Sequence, residues 1–393
     1  MRASTSAIGL LTEVNRLRAI LRRIAMKGVG MRRRDILIGA GGALVLAGGA
    51  AAGWRSAVGS MGGFDSYASG LRAPMPAGPN IADLIRYATL AANGHNTQPW
   101  RFRVGESTID ILPDLSRATP VVDPDNHHLF VSLGCAAENL LIAATATGRA
   151  GQLETNAGGE RIRYSFSRAE AHPHPLLAAI PRRQSTRAEY DGRSVSAADI
   201  EALRQSAETP GVRLVLLTDR ARINQVRDLI VAGNDAQMAD AAFMAELKRW
   251  LRFNPRSAMA SGDGLFSAAS GNPVLPEFLG GLAFDTFFAA GAENDKYARQ
   301  IDSSAGIAIF LAEHEDKAHW IAVGRACQRF ALAATASGLK HAFVNQPVEV
   351  ARLRPELAAQ IGERGMRPDI IMRFGYGPTL PFSPRRPVNA VLA

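Results

Sequence analysis

Only two cysteines, Cys135 and Cys327, occur in 393 residues. Two are too few for a disulfide framework, and neither lies in a spacing that metal sites use, so a disulfide-stapled scaffold and a zinc module are both excluded. Each falls in an Ala-rich stretch of helical period, where a free cysteine is a small buried hydrophobe. The Gly-rich fingerprint of a dinucleotide-binding fold is also missing. Acidic residues are scarce at the start of the chain, where positions 1–55 hold ten Arg/Lys against Glu13 and Asp35 alone. Of the formal +9, +8 therefore sits in that segment, and the other 338 residues carry +1. A nearly neutral body has no long-range field for a polyanion, which excludes nucleic acid as its partner.

The basic segment carries a different signal. From Met31 it reads MRRRDILIGAGGALVLAGGAAAGW, a cationic start followed by a Gly/Ala-rich apolar run from Ile36 to Gly53. That layout is an export signal, and Arg33-Arg34 resembles the pair read by the twin-arginine translocation machinery, which carries folded proteins. The run is also about long enough to span a bilayer. Two destinations stay open: export to the periplasm with cleavage, or anchoring on the outer face of the cytoplasmic membrane. Residues 1–30 read as a basic extension ahead of the 31–53 signal, with Met31 an alternative start, and 54–79 as a Gly/Ser/Pro-rich linker.

The body divides near residue 175 into two copies of one α+β unit, 80–175 and 176–393. Asn80 can cap a helix with Ile81, Leu84, Ile85 and Ala88 on one face. It leads through NGHNTQPWRF (93–102) into strands at 100–104 and 108–112 joined by a tight turn at Gly105-Glu106. Further on, VSLGCAAENLLIAATATG (131–148) matches IAVGRACQRFALAATASG (321–338) at a constant offset of 190, with seven of eighteen positions identical. A repeat at fixed offset sets the architecture. The second copy opens with Arg182, Arg183, Ser185 and Arg187, a set of guanidiniums and a hydroxyl suited to a phosphate. It has no Asn-x-Gln-Pro-Trp, and the first copy has no Arg/Ser cluster. One complete pair of motifs remains per chain. His172-Pro-His174 reads as a loop, and no metal site is expected.

Together, RYATLAANGHNTQPWRF (86–102), RRQSTRAEYDGRSV (182–195) and RFGYGPTLPFSPRRPV (373–388) resemble the nitroreductase family, most closely its internally duplicated, Acg-like FMN-binding branch. The likeness covers nearly everything from residue 80 onward. It implies a monomer acting as a pseudo-dimer, two fused nitroreductase-like copies with one FMN between them. On that resemblance Arg182, Arg183, Ser185 and Arg187 hold the phosphate and ribityl end, and Arg385 or Arg386 closes it. His95, Asn96 and Gln98 approach the cofactor from the other copy, with Asn96 at the ring edge. Where many relatives read Ala-Pro-Ser-Gly, this chain has Ala91-Ala92-Asn93-Gly94, so the ring environment differs. An insertion at about 236–305, with Phe278, Phe284, Phe287 and Phe288, forms a pocket, a lid or extra packing.

Two functions follow. One is an FMN-dependent oxidoreductase that takes hydride from NAD(P)H or another donor and reduces electron-poor small molecules, nitroaromatics or quinones, with no side-chain acid or base nominated. The other is an FMN store with little turnover, because fold alone does not separate binding from catalysis. A flavin-free scaffold is a third, blander reading.

Overall fold

A computed structural model describes residues 53–156 and 158–393. The twin-arginine signal and the 1–30 extension fall outside the described residues, except for Gly53. Ala57–Ala393 form one compact unit.

The stretch read from sequence as a linker instead carries a helix, α1 (Met61–Leu71), which buries Phe64 and Ala68 against Ala258 and Phe266. In chain order the first copy is then α2 (Ile81–Thr89), β1 (Trp100–Val104), β2 (Thr108–Pro113), α3 (His127–Ala146), β3 (Arg149–Thr155) and β4 (Ile162–Arg168). The second begins with α4 (Ala197–Ala207) and β5 (Val212–Leu217). There follow α5 (Arg220–Ala239), α6 (Ala241–Trp250), the short β6 (Leu251–Arg252), α7 (Pro255–Ser261) and β7 (Leu265–Phe266). Then come α8 (Glu277–Phe287), α9 (Ala290–Asp302), β8 (Gly306–Ala312), α10 (Lys317–Ala336) and β9 (Lys340–Phe343). The chain ends through α11 (Gln346–Glu349), α12 (Arg354–Ile361) and β10 (Pro368–Gly375).

Each copy builds a four-stranded antiparallel sheet, ordered β1-β2-β4-β3 and β5-β8-β10-β9. The two orders are the same topology, helix, two strands, helix, two strands, so the duplication is a property of the fold. α3 and α10 are both 20 residues long, start and end 190 positions apart, and are followed by Gly148 and Gly338 at φ 77° and 76°. A left-handed residue just past a helix end favours glycine, which has no Cβ to clash. Both helices are apolar over most of their surface because they form the core between the two sheets.

The copies differ where residues were added. β1 and β2 join through a tight turn, whereas their counterparts β5 and β8 are separated by 218–305. The insertion thus begins at the end of β5, ahead of the 236 expected from sequence. A second addition, 344–367, separates β9 from β10 and carries α11 and α12. The outer surface of the second sheet is covered by α5 and α12, so every residue of β8 and β10 is buried. β1 buries Trp100 and Phe102 and exposes Arg101 and Arg103, as a strand with one wet face does.

The capping expected at Asn80 is a reciprocal box with Asp83, each side chain accepting the other's backbone N–H at 3.1 Å. The C-terminus crosses to the first copy: Phe102 N–H donates to Val391 O and Ala393 N–H to Phe102 O, both at 2.8 Å. These bonds extend the first sheet along the β1 edge.

Candidate functional site

The segment between α2 and β1 has a backbone ordinary residues resist. His95, Asn96 and Gln98 take φ of 47°, 54° and 53°. Each such non-glycine position costs of order 1–3 kcal/mol unless its surroundings hold it there. The Asn and Gln side chains supply the hold. Asn93 Oδ1 accepts from Gln98 N at 2.8 Å. Asn96 Nδ2 donates to Gly264 O and Pro384 O, both at 3.0 Å, while its Oδ1 accepts from Arg385 Nη1 at 2.5 Å. Gln98 Nε2 donates to Gly262 O at 2.8 Å and its Oε1 accepts from Arg386 N at 2.9 Å. Trp100 is fully buried and anchors the end of the loop.

This arrangement departs from the role expected for Asn96. Its amide and that of Gln98 are consumed by the insertion and the C-terminal tail, and neither lines the cavity. The loop instead presents Ala92, Asn93, Gly94 and His95 to a cavity of about 190 Å³. At Gly94 an added Cβ would meet nothing within 4 Å.

The cavity lies between the copies. His128, Ser132 and Cys135 of α3 form part of one wall; Arg187, Asn234, Gln237, Tyr297, Gln346 and Glu349 form part of the other. Met238, Phe243, Leu247, Leu265 and Phe288, all from the 218–305 insertion, supply apolar cover. Burial lowers the His95 pKa to about 4, and the Arg187 cation and His128 add to the effect. Burial also lowers the Arg187 pKa, partly offset by Tyr297 and Tyr190.

Beside the cavity sits a cluster of buried cations. Arg183 is 2% exposed; its Nη2 donates to Leu90 O at 3.1 Å, but Nε and Nη1 have no partner. His341, fully buried, has no partner on either ring nitrogen, and burial with Arg183 nearby brings its pKa to about 3. Arg385 donates to Thr89 O at 2.7 Å and Ala91 O at 3.1 Å, clamping the end of α2. Arg72, just past α1, donates to Pro181 O at 3.0 Å and lies over the Phe382 ring. Burial pulls Arg385 down to about 9 and Arg183 to about 10, and it lowers Arg72 well below its ordinary value. Arg183 also depresses the pKa of both Arg72 and Arg385. Among the described residues no carboxylate forms an ion pair with any of the three. Buried charge without a counter-charge is costly, so an anion placed beside these side chains would be stabilised.

The sequence-predicted residues divide accordingly. The structure brings Arg183, Arg187, His95, Asn96, Gln98 and Arg385 together from both copies. Ser185 is half-buried and bridges through its backbone to His341 on the β9 edge. Arg182 is exposed and turns back to Ala178 O at 3.0 Å, away from the cavity. Arg386 binds the far side of the loop, through Gln98 and Ala390. Residues not singled out from sequence are Arg72, His128, Asn234, Gln237, Tyr297, His341, Gln346 and Glu349. Asn234–Gln237 and Gln346–Glu349 are both i,i+3 polar pairs on helices, a pattern indistinguishable in sequence from a solvated face.

The repeat locates a second, equivalent position across α3 and α10, and there charged side chains pair with one another. Glu138 sits between Arg325 Nε at 2.8 Å and Arg329 Nη1 at 2.9 Å. Arg329 also donates to Ser206 O and Glu208 O, both at 2.8 Å. By the offset of 190, Glu138 corresponds to Gln328, which on the cavity side accepts from Ala92 N at 3.2 Å.

No family model matches the chain. It is similar to a Mycobacterium tuberculosis protein presumed by name to be an NAD(P)H nitroreductase, Rv3131. The two are 25% identical over 332 residues, covering 81% of this chain and 92% of that protein. A second presumed NAD(P)H nitroreductase of the same organism, Acg, is 23% identical over 325 residues, 79% of this chain and 94% of that one. Among solved structures, the FMN-dependent nitroreductase NfnB from Mycobacterium smegmatis, in complex with NADPH, is 14% identical. It covers 52% of this chain and 87% of its own, at a TM-score of 0.36. Over about four-fifths of its length, and in its duplicated fold, the chain is similar to the internally duplicated, Acg-like nitroreductases.

Proposed function

We propose that the chain is an FMN-dependent NAD(P)H oxidoreductase that reduces electron-poor acceptors of the nitroaromatic or quinone class. The observation that carries this reading is the buried cation cluster beside the cavity, with Arg183 Nε and Nη1 and both His341 ring nitrogens unpartnered. The free Arg183 N–H groups and the single N–H of the neutral His341 ring suit a phosphate, and the adjoining cavity, walled by backbone, amides and aromatic side chains, suits a planar polar ring. FMN fits on both counts. The names of Rv3131 and Acg point to the same activity.

In this reading Arg183 and His341 hold the phosphate, Arg385 fixes the loop that faces the ring, and Arg187 is the cation available to negative charge accumulating in the cavity. Bound FMN would supply hydride acceptance from NAD(P)H and hydride donation to the acceptor. The chain's own residues bind, orient and exclude water, the last through the cover from 218–305.

The same cover favours the second reading, an FMN store, because a hydride donor must reach the ring. Anaerobic mixing of FMN-loaded protein with NADH, NADPH and dithionite separates the two. Bleaching by a nucleotide supports the oxidoreductase; bleaching by dithionite alone, with millimolar nucleotide inert, leaves storage. We further read the N-terminus as a twin-arginine export signal or anchor, and the protein as a monomer. A dimer on size-exclusion chromatography with light scattering would overturn the last point.

A further inference from the structure

The cavity wall carries an acid that flavin binding does not use. Glu349, at the end of α11, accepts from Gln237 Nε2 at 2.6 Å through Oε2, and its Oε1 lies 3.8 Å from His128 Nδ1. Both Glu349 and His128 line the cavity. The His128 tautomer follows from its other partner. Nε2 is 3.2 Å from the Asp369 carbonyl oxygen, which can only accept, so Nε2 carries the hydrogen and Nδ1 offers a lone pair toward Glu349. Three elements, α3, α5 and α11, thus meet at one carboxyl group, and β10 holds the far side of the His128 ring.

We propose that Glu349 is the proton donor to the acceptor reduced in this cavity, with His128 positioning it and returning its proton. The proposal rests on the oxidoreductase reading above. Two-electron reduction of a quinone takes one hydride and one proton. The Glu349 O–H bond breaks, an O–H bond forms on the acceptor, and the carboxylate left behind regains a proton from water through the His128 ring. For a nitro group the hydride and the proton from Glu349 together supply the two hydrogens that leave with one oxygen as water, giving the nitroso compound.

The surroundings suit a group that holds its proton. Burial raises the Glu349 pKa, and Asp123 adds to the rise, while His128, the Gln237 hydrogen bond and Arg354 oppose it. Tyr297, on the same wall, is near enough for the Glu349 charge to add to the rise that burial gives its own pKa. Burial lowers the His128 pKa, with the adjoining His127 as the next cause; His127 lies 2.7 Å from Asp369. His95 faces His128 from the loop. The three side chains Asp123, His127 and His128 approach one another closely enough to suggest a metal site. Asp123, however, spends its oxygens on the His128 and Leu129 N–H groups at 3.0 and 2.9 Å, as a helix cap does.

The test uses full-length FMN-loaded protein, reduced anaerobically and mixed with a benzoquinone, which needs a proton, or with ferricyanide, which takes electrons alone. In E349Q the ratio of quinone to ferricyanide rates is expected to fall by about 100-fold, the usual scale of general acid catalysis. The wild-type decline in quinone rate at alkaline pH should vanish with it. H128N should show the same loss in part, and Glu349→Asp should recover some of the ratio. Infrared difference spectra of the resting protein should show a protonated carboxyl band near neutral pH that E349Q removes. An unchanged rate ratio and pH profile in flavin-replete E349Q overturns this inference and leaves the oxidoreductase reading standing. Failure of the wild-type protein to take up FMN overturns both.

Discussion

Gly134 and Gly324 meet backbone to backbone where α3 crosses α10. An added Cβ at Gly134 would fall 2.1 Å from the Ile321 carbonyl oxygen, and one at Gly324 would fall 2.0 Å from that of Val131. The two contacts are the same contact, since Val131 and Ile321 are also 190 residues apart. The crossing is thus the local axis of the duplication. No side-chain repacking relieves a clash with a main-chain oxygen. Gly134→Ala and Gly324→Ala should each destabilise by at least the 1–3 kcal/mol typical of overpacking, read as a fall in the denaturant midpoint. Gly291→Ala, at a helical glycine with nothing within 4 Å, should be neutral or slightly stabilising. Equal effects at all three sites would mean that the helices are not in backbone contact.

Charge placement separates the arginines. Arg183→Gln removes the donors proposed for the phosphate and should weaken FMN binding by roughly one to two decades, the equivalent of about 1.5–3 kcal/mol. Riboflavin, which lacks the phosphate, should be little affected. Arg187→Gln, facing the cavity, should weaken both ligands, and Arg182→Ala neither. Matching losses for FMN and riboflavin in Arg183→Gln would move the phosphate elsewhere.

Acid should unfold the ligand-free protein earlier than its net charge suggests. His341 and His95 are held neutral with pKa values of about 3 and about 4, below the 6.5 of an unfolded chain. The unfolded state therefore binds more protons below pH 6.5, and stability falls as pH drops toward the folded values. Their contribution is intact above pH 6.5. At pH 5 the His341 shift alone costs about 2 kcal/mol relative to pH 7. Asp369 acts oppositely: burial raises it to about 7, so its carboxyl is easier to bury as pH falls, which offsets the lowering at its neighbour His127. Chemical denaturation at pH 7 and pH 5, with His341→Asn as the comparison, reads the net slope. An unchanged acid limb in that variant would exclude His341 as its source.

Cofactor stoichiometry follows from the ion pairs at the second position. Acid-released FMN should approach one equivalent per chain, and Glu138→Gln should not raise it to two. A reproducible value near two in the unaltered protein would contradict the assignment of a single site.

Export should depend on Arg33-Arg34. With both changed to Lys, the protein should accumulate on the cytoplasmic side in a fractionation assay. Undiminished appearance beyond the membrane would exclude the twin-arginine route.

Much of the fold was legible because it is local and repeated. The α3/α10 match, the Gly148 and Gly338 ends, the Asn80 cap and the first hairpin each depend on neighbours a few residues away. The NTQPW loop was recognisable, but the direction of its amides was not, because their partners Gly262, Gly264, Pro384 and Arg385 lie 160 to 290 residues further along. Arg182 and Arg183 look alike in sequence, yet the short helical turn ending at Arg182 sends one outward and the other inward. Glu349 and His128 were illegible for a related reason. A lone acid and a His-His pair resemble surface chemistry until two separate insertions fold over the same cavity.

The ion pairs of Glu138 with Arg325 and Arg329 have a consequence for regulation. A symmetric assembly with two equivalent sites can let the first occupant alter the second, which gives half-of-sites reactivity or negative cooperativity. Here ion pairs occupy one of the two positions. A lone centre of this kind in a monomer would respond to its ligand as a simple hyperbola, its affinity set without reference to a twin.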